Sequence, residues 1–185
     1  MGGGNMITID AGDFYLVEPS EIYAEQIKKY RQDFLDTGCS MDGCGPIRKY
    51  EDPIAYISEC RKYTSHDTLP EGLVIATQFF YVRKSDNCLV GMIQIRHYLS
   101  EYLAKFGGHI GYSIKPSERR KGYATAMLKA VLPYCREIGL DKVLITCIDG
   151  NIGSERTILN NGGVYESTVY EAGANCNLKR FWITL

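Results

Sequence analysis

The residues best equipped for chemistry lie in one stretch, Glu118 to Met127, which reads Glu-Arg-Arg-Lys-Gly-Tyr-Ala-Thr-Ala-Met. Three cations in a row, Arg119, Arg120 and Lys121, meet a glycine, and a helix-forming run follows. The first turn of a helix leaves its N–H groups without partners and carries about half a positive elementary charge. Cations placed there oppose that charge, so an anion is expected at the helix mouth. Gly122 has no side chain to keep an anion off the main chain, Ala124 has little more, and Tyr123 and Thr125 complete the turn. Arginine and lysine can also reach phosphate oxygens directly. The chemistry predicted is a pyrophosphate cradle built mainly from main-chain N–H groups. A solvated basic turn is the plainer alternative for a bare charge run. The glycine and the strand–turn–helix setting favour the cradle. It is neither a P-loop nor the Gly-x-Gly-x-x-Gly dinucleotide turn, because neither spacing occurs here.

To hold that turn the chain needs a strand before it and an amphipathic helix after it. Residues 108–116, Gly-His-Ile-Gly-Tyr-Ser-Ile-Lys-Pro, read as the strand. Residues 120–138 read as the helix, with Ala124, Met127, Leu128, Val131, Cys135 and Ile138 at core spacing and Pro133 as a candidate bend. Upstream, 13–20 predicts a strand, and Ser20 is placed to cap a helix that Gly38 ends. Residues 39–50 read as glycine-punctuated loop, and 51–63 as a second helix with Pro53 in its first turn. From Gly72 the period changes to that of strands, giving a hairpin around Ser85-Asp86-Asn87 and a meander with 108–116. The continuous apolar run 142–148, a short helix closed by glycines, and a last pair of strands complete the order. This predicts a mixed α/β sheet in one domain over 6–185, with 19–71 as a helical lid and 72–185 as the cofactor-binding core. Residues 1–5 are set aside.

Composition narrows the function. A net charge of −1 gives no field that would draw nucleic acid. No apolar run approaches the roughly 18 residues of a membrane span, and no secretory pattern opens the chain. The seven cysteines show no repeated spacing, which argues against a metal knuckle and for reduced thiols in a cytoplasmic protein. The first 71 residues carry 13 acidic against 7 basic side chains, and the rest carry 9 against 14. An anionic cofactor held by one half and a cationic substrate by the other would produce that asymmetry.

The spacing Arg119-x-x-Gly122-x-Ala124, after a strand and before a long helix, resembles the Gln/Arg-x-x-Gly-x-Gly/Ala motif of the GNAT superfamily of acyl-CoA N-acyltransferases. The strand through Ile148, then Asn151, Ser154 and Gly162, and the closing hairpin match the family's order, so the resemblance covers about 72–185. It implies a GNAT fold, with a central, mostly antiparallel sheet, splayed strands and flanking helices. Acetyl-CoA is the implied co-substrate, with no metal. Ile114 would offer main-chain groups to the pantetheine arm, and the turn Arg119–Thr125 would bind the pyrophosphate. Asn151 and Ser154 would line the arm near the thioester. The resemblance admits a homodimer, although no residue here carries an interface.

Acyl transfer to an amine needs proton removal, an oxyanion donor and a proton for the leaving thiolate. A main-chain N–H near Ile114 is the expected oxyanion donor. His109, at the start of the motif strand, is the candidate base, since an imidazole titrates near neutral pH; a locally hydrogen-bonded strand histidine is the alternative. His97 is a weaker candidate, His66 is expected on a loop surface, Tyr112 is expected to pack, and Cys147 to be inert. Many family members have a Tyr seven residues after the Asn; here that position is Ile158. The expected function is therefore acetyl transfer from acetyl-CoA to a primary amine of a small molecule. A coenzyme-binding sensor without catalysis, or a nucleotide-phosphate site unrelated to CoA, are the rivals.

Overall fold

The computed structural model describes residues 6–185, and the Met-Gly-Gly-Gly-Asn start lies outside them. The first elements form a hairpin, β1 (Thr8–Ala11) and β2 (Phe14–Val17), where the sequence predicted a single strand over 13–20. β1 alternates polar and apolar residues, but over only four positions, none fully buried, which is too short a run to stand out from the sequence. A turn of 3₁₀ helix then leads into α1 (Ala24–Thr37), and the Ser20 side chain makes no capping bond, contrary to expectation. α2 (Pro53–Lys62) is capped by Asp52, whose carboxylate accepts from the N–H groups of Ile54 at 3.0 Å and Ala55 at 3.4 Å.

β3 (Ala76–Arg83), β4 (Cys88–Arg96) and β5 (Ile110–Ile114) continue the antiparallel order β1-β2-β3-β4-β5. Alternate residues of β3 and β4 face opposite layers. Phe80, Val82 and Met92 join Ile27, Tyr30, Phe34, Tyr56 and Ile57 of the first two helices in one buried cluster. The other face packs Phe79, Ile93 and Ile114 against Met127, Leu128 and Val131 of α3 (Tyr123–Glu137) and Ile158 of α4 (Ile152–Leu159). The helices read as a lid thus bury their apolar faces in a layer of the core, and the segment between them, 38–46, is what overhangs the site.

A second sheet holds β6 (Lys142–Ile148), β7 (Val164–Glu171) and β8 (Cys176–Thr184) in the order β6-β8-β7, all antiparallel. The last strand therefore inserts between two earlier ones. β5 and β6 form no ladder; they touch near their starts and part beyond. The contact is made by His109 N–H donating to the Leu144 carbonyl at 2.7 Å and Leu144 N–H donating to His109 Nδ1 at 2.9 Å. A π-helical turn, Leu103–Gly107, which the sequence did not announce, packs beside it, and Thr146 Oγ1 donates to the Phe106 carbonyl at 2.8 Å. No described helix is long and apolar enough to cross a membrane.

Candidate functional site

The opening between β5 and β6 is the centre of a cavity of about 890 Å³ that passes from one face of the sheet to the other. On one side it is lined by Gly122, Tyr123, Ala124, Thr125, Asn151 and Ser154. On the other it meets Asp42, Gly43, Arg96, Tyr102 and Phe106.

At the helix mouth the chain turns through Arg120, with φ 66°, and Gly122, with φ 81°, before α3 begins. No side chain caps this helix, and none of the N–H groups from Arg120 to Thr125 has an acceptor among the described residues. The first to bond is Ala126 N–H, which donates to the Gly122 carbonyl at 3.1 Å. A Cβ on Gly122 would meet nothing within 4 Å, so no other part of the protein crowds the turn at that point. An uncapped helix N-terminus facing open space is suited to an anion.

The three cations behave differently from expectation. Arg119 folds back, donating from Nε to the Ile114 carbonyl at 3.0 Å and from Nη1 to Cys39 Sγ at 3.3 Å, with its guanidinium over the Phe34 ring. Lys121 pairs with Glu118 at 2.7 Å, and Glu118 also holds Arg83 at 3.0 Å, so this network fixes the turn from below. These two partners, Arg83 first, hold the Glu118 carboxyl below its ordinary range. Only Arg120 is left without a side-chain partner among the described residues. Anion binding here rests on amides more than on side-chain forks.

In the gap itself, the β4–β5 ladder uses Lys115 N–H to the Val90 carbonyl at 2.9 Å and Arg96 N–H to the His109 carbonyl at 2.8 Å. Antiparallel pairing then leaves the main-chain groups of Ile110, Tyr112 and Ile114 facing away from β4, toward β6. The Ile114 carbonyl is taken by Arg119, which leaves N–H donors on Tyr112 and Ile114. The Tyr112 hydroxyl reaches across to Ser154, 2.9 Å from its Oγ and 3.3 Å from its carbonyl. Tyr112 was expected only to pack. Burial, ahead of its other influences, raises its pKa, so the hydroxyl stays protonated. Ile158, where the family has Tyr, is fully buried in the core, and Tyr112 with Ser154 brings hydroxyls to the cavity instead. Asn151 Oδ1 accepts from Ser154 N–H at 3.2 Å and so caps α4. Cys147 also lines the cavity, and burial pushes its thiol up to about 11, so at neutral pH it is not a thiolate.

His109 is the clear departure. It does not line the cavity, and its Nδ1 lone pair is occupied by Leu144 N–H. Burial first, then the nearby Arg96 charge, pulls its pKa down to about 4. The structure makes it a clamp that sets where the two sheets part, and the base role is withdrawn. His97 is engaged with Thr77 Oγ1 at 2.9 Å and also lies off the cavity. The clamp has a stability signature. An unfolded histidine titrates near 6.5, so the neutral folded form adds stability that is full above pH 6.5 and lost as the pH falls toward 4. Allowing for partial solvent screening, the loss amounts to about 1–2 kcal/mol. Thermal melts from pH 7 to pH 4 should show that slope in the wild type and lose it in His109→Asn, which keeps an acceptor near the Nδ1 position. An unchanged slope in the variant would remove the clamp.

Asp42 and Arg96 were not singled out from the sequence. Nothing local marks them; Asp42 sits in a glycine-rich loop and Arg96 at the end of a strand. Among the described residues, no group of three His, Cys, Asp or Glu could hold a metal ion.

Residues 43–159, more than half of the chain, match the profile of a family described as the acetyltransferase (GNAT) family. The chain is 31% identical over 88 residues to YnaD, an uncharacterized N-acetyltransferase of Bacillus subtilis (strain 168). That stretch is 47% of this chain and 49% of the relative, so the match spans about half of the relative's length. The microcin C7 self-immunity acetyltransferase MccE, solved with acetyl-CoA and AMP, shares the fold at a TM-score of 0.71, with 18% identity over 95% of this chain and 94% of that one. Ribosomal-protein-S5-alanine acetyltransferase from Vibrio fischeri gives a TM-score of 0.72, with 14% identity over 96% of both chains.

Proposed function

The chain belongs to the GNAT family of acetyltransferases, and from that premise we propose that it moves the acetyl group of acetyl-CoA to a primary amine of a small molecule by direct attack in a ternary complex. The observation that carries this is the uncapped N-terminus of α3 opening into the same cavity as the gap between β5 and β6. A diphosphate on the amides of Arg120–Thr125 leaves the pantetheine arm to run along the free main-chain groups of Tyr112 and Ile114, with Asn151 and Ser154 beside it. The thioester then lies in the gap, and the amine approaches from the Asp42 side.

The amine must shed its proton before attack. With Nδ1 of His109 engaged by Leu144, the proton leaves to water beside Asp42. The neutral nitrogen adds to the thioester carbonyl, and the oxyanion is met by the N–H of Tyr112 or Ile114. Collapse breaks the carbon–sulfur bond; the Tyr112–Ser154 hydroxyl pair gives the thiolate its proton and regains one, through water, from the nitrogen that has added, which leaves a neutral amide. Tyr112→Phe is therefore expected to lower kcat by roughly a hundredfold, with acetyl-CoA affinity unchanged. Steady-state kinetics with calorimetry checks this, and equal kcat in the variant would mean that water supplies the proton.

The proposal is tested by incubating the protein with acetyl-CoA and a panel of amines, following free thiol and product mass. Coenzyme binding with no thiol release above background for any amine would make the protein a binding module. ATP competing as well as CoA would make the cradle a general nucleotide site.

A further inference from the structure

Arg96 and Asp42 are among the charged side chains of the cavity wall that have no ion-pair partner among the described residues, and they are the ones that lie on the side away from the helix mouth. Arg96 ends β4, and its side chain shares a face with Gln94, two residues earlier. Its Nη1 donates to the carbonyls of Gly107 at 3.1 Å and Gly108 at 3.0 Å, which fixes the guanidinium at the base of the chamber. Nε and Nη2 have no acceptor among the described residues, and Nη2 lies over Gly111, 3.8 Å from where a Cβ would stand. Burial lowers the Arg96 pKa and the Asp42 charge opposes that shift. A half-buried guanidinium with one edge unbonded and no carboxylate within ion-pair distance is costly to keep, and an anionic ligand group would offset the cost.

Arg96 is held at Gly107 and Gly108, just before β5, whereas Gly43, next to Asp42, packs on the main chain of Gly111 and Tyr112, farther along β5 toward the gap. The chamber thus offers a cation at its base and an anion nearer the reacting centre. Tyr102, Leu103 and Phe106 add an apolar wall, with the two rings 5.3 Å apart.

We propose that the acceptor is an α-amino acid with an uncharged side chain: its carboxylate is held by the free edge of Arg96, its ammonium docks at Asp42, and its side chain lies on Tyr102, Leu103 and Phe106. Each charge of the zwitterion meets its opposite, and the nitrogen is the end that faces the gap. This rests on the acetyl-transfer reading for the identity of the reacting group, but the binding geometry can be tested apart from transfer.

The probe set is leucine, leucinamide, 3-methylbutylamine and a pentapeptide beginning with leucine. Calorimetry on protein loaded with CoA, which has no acetyl group to transfer, reads binding alone; acetyl-CoA then reads kcat/KM for the same four. Leucine is expected to bind at least about tenfold more tightly than the other three, the loss of a charge-assisted hydrogen-bonded pair. That preference should fall below about threefold in Arg96→Gln and be intermediate in Arg96→Lys, which keeps the charge without the fork. Leucinamide or the peptide binding as well as leucine to the wild-type protein overturns the inference, and that comparison needs no variant to fold. Leucine preferred in binding with no transfer to any of the four leaves the carboxylate site standing and removes acetyl transfer. Transfer to all four without preference does the reverse.

Discussion

A Gly122→Val variant should keep its fold and lose about a hundredfold or more in acetyl-CoA affinity, roughly 2.7 kcal/mol. Two physical effects act at this position. Gly122 has φ 81°, a left-handed conformation that a β-branched residue adopts at a cost of about 1–3 kcal/mol. That part falls on stability. The part that falls on binding comes from position: a Cβ there touches no protein atom within 4 Å, so the added side chain occupies open space beside the unbonded N–H groups of Arg120–Thr125. Gly122→Ala shares most of the backbone cost but fills less of that space, so it should melt near the valine variant and bind acetyl-CoA better. Calorimetric Kd values beside melting temperatures separate the two effects. Undiminished affinity in a folded valine variant would show that the coenzyme does not use this turn.

Gly43→Ala is expected to act on the opposite side of the cavity and more heavily on stability. A Cβ at Gly43 would stand 2.1 Å from the Gly111 carbonyl oxygen and 2.4 Å from the Tyr112 Cα, both main-chain atoms of β5, and φ is 70°. Neither neighbour can swing aside, so the 38–46 segment must lift from the sheet. Lifting it strips the Gly43 carbonyl from Gln78 Nε2, a buried bond of 2.8 Å. The combined strain and lost contact should cost about 3 kcal/mol, a fall in Tm of about 6–12 °C for a chain of this size. Because the segment carries Asp42, acceptor KM should rise about tenfold or more, while acetyl-CoA Kd, set at the far end of the cavity, changes little. A variant that melts within about 2 °C of wild type with the wild-type acceptor KM would show that the segment does not seat the acceptor.

These two glycines illustrate how unevenly the sequence reveals the site. Gly122 is legible because its role is local: it lies at the boundary between a strand-period segment and a helix-period segment, within a spacing that resembles a known motif. The boundaries of α3, α4 and the β3–β4–β5 meander are legible for the same reason, since hydrophobic period and turn residues act over a few neighbours. Gly43 looks like any glycine in a loop until β5 is laid under it. Arg119 and Lys121 are visible in the sequence as cations near a helix mouth, yet where each side chain points depended on Ile114, Cys39 and Glu118. The role of His109 reversed because Leu144, from another sheet, claimed its Nδ1.

By itself, then, the sequence determined the order of the main helices and strands after β1 and the bare main-chain turn at the start of α3, which follow from short-range periodicity and steric freedom. Only the tertiary structure decided that β8 slots between β6 and β7, that the sheets part beyond His109, and that Asp42, Arg96, Tyr112 and Ser154 share one cavity. Those outcomes join residues far apart in the chain through hydrogen bonds and packing. No local propensity carries information about which distant partner a polar group will meet.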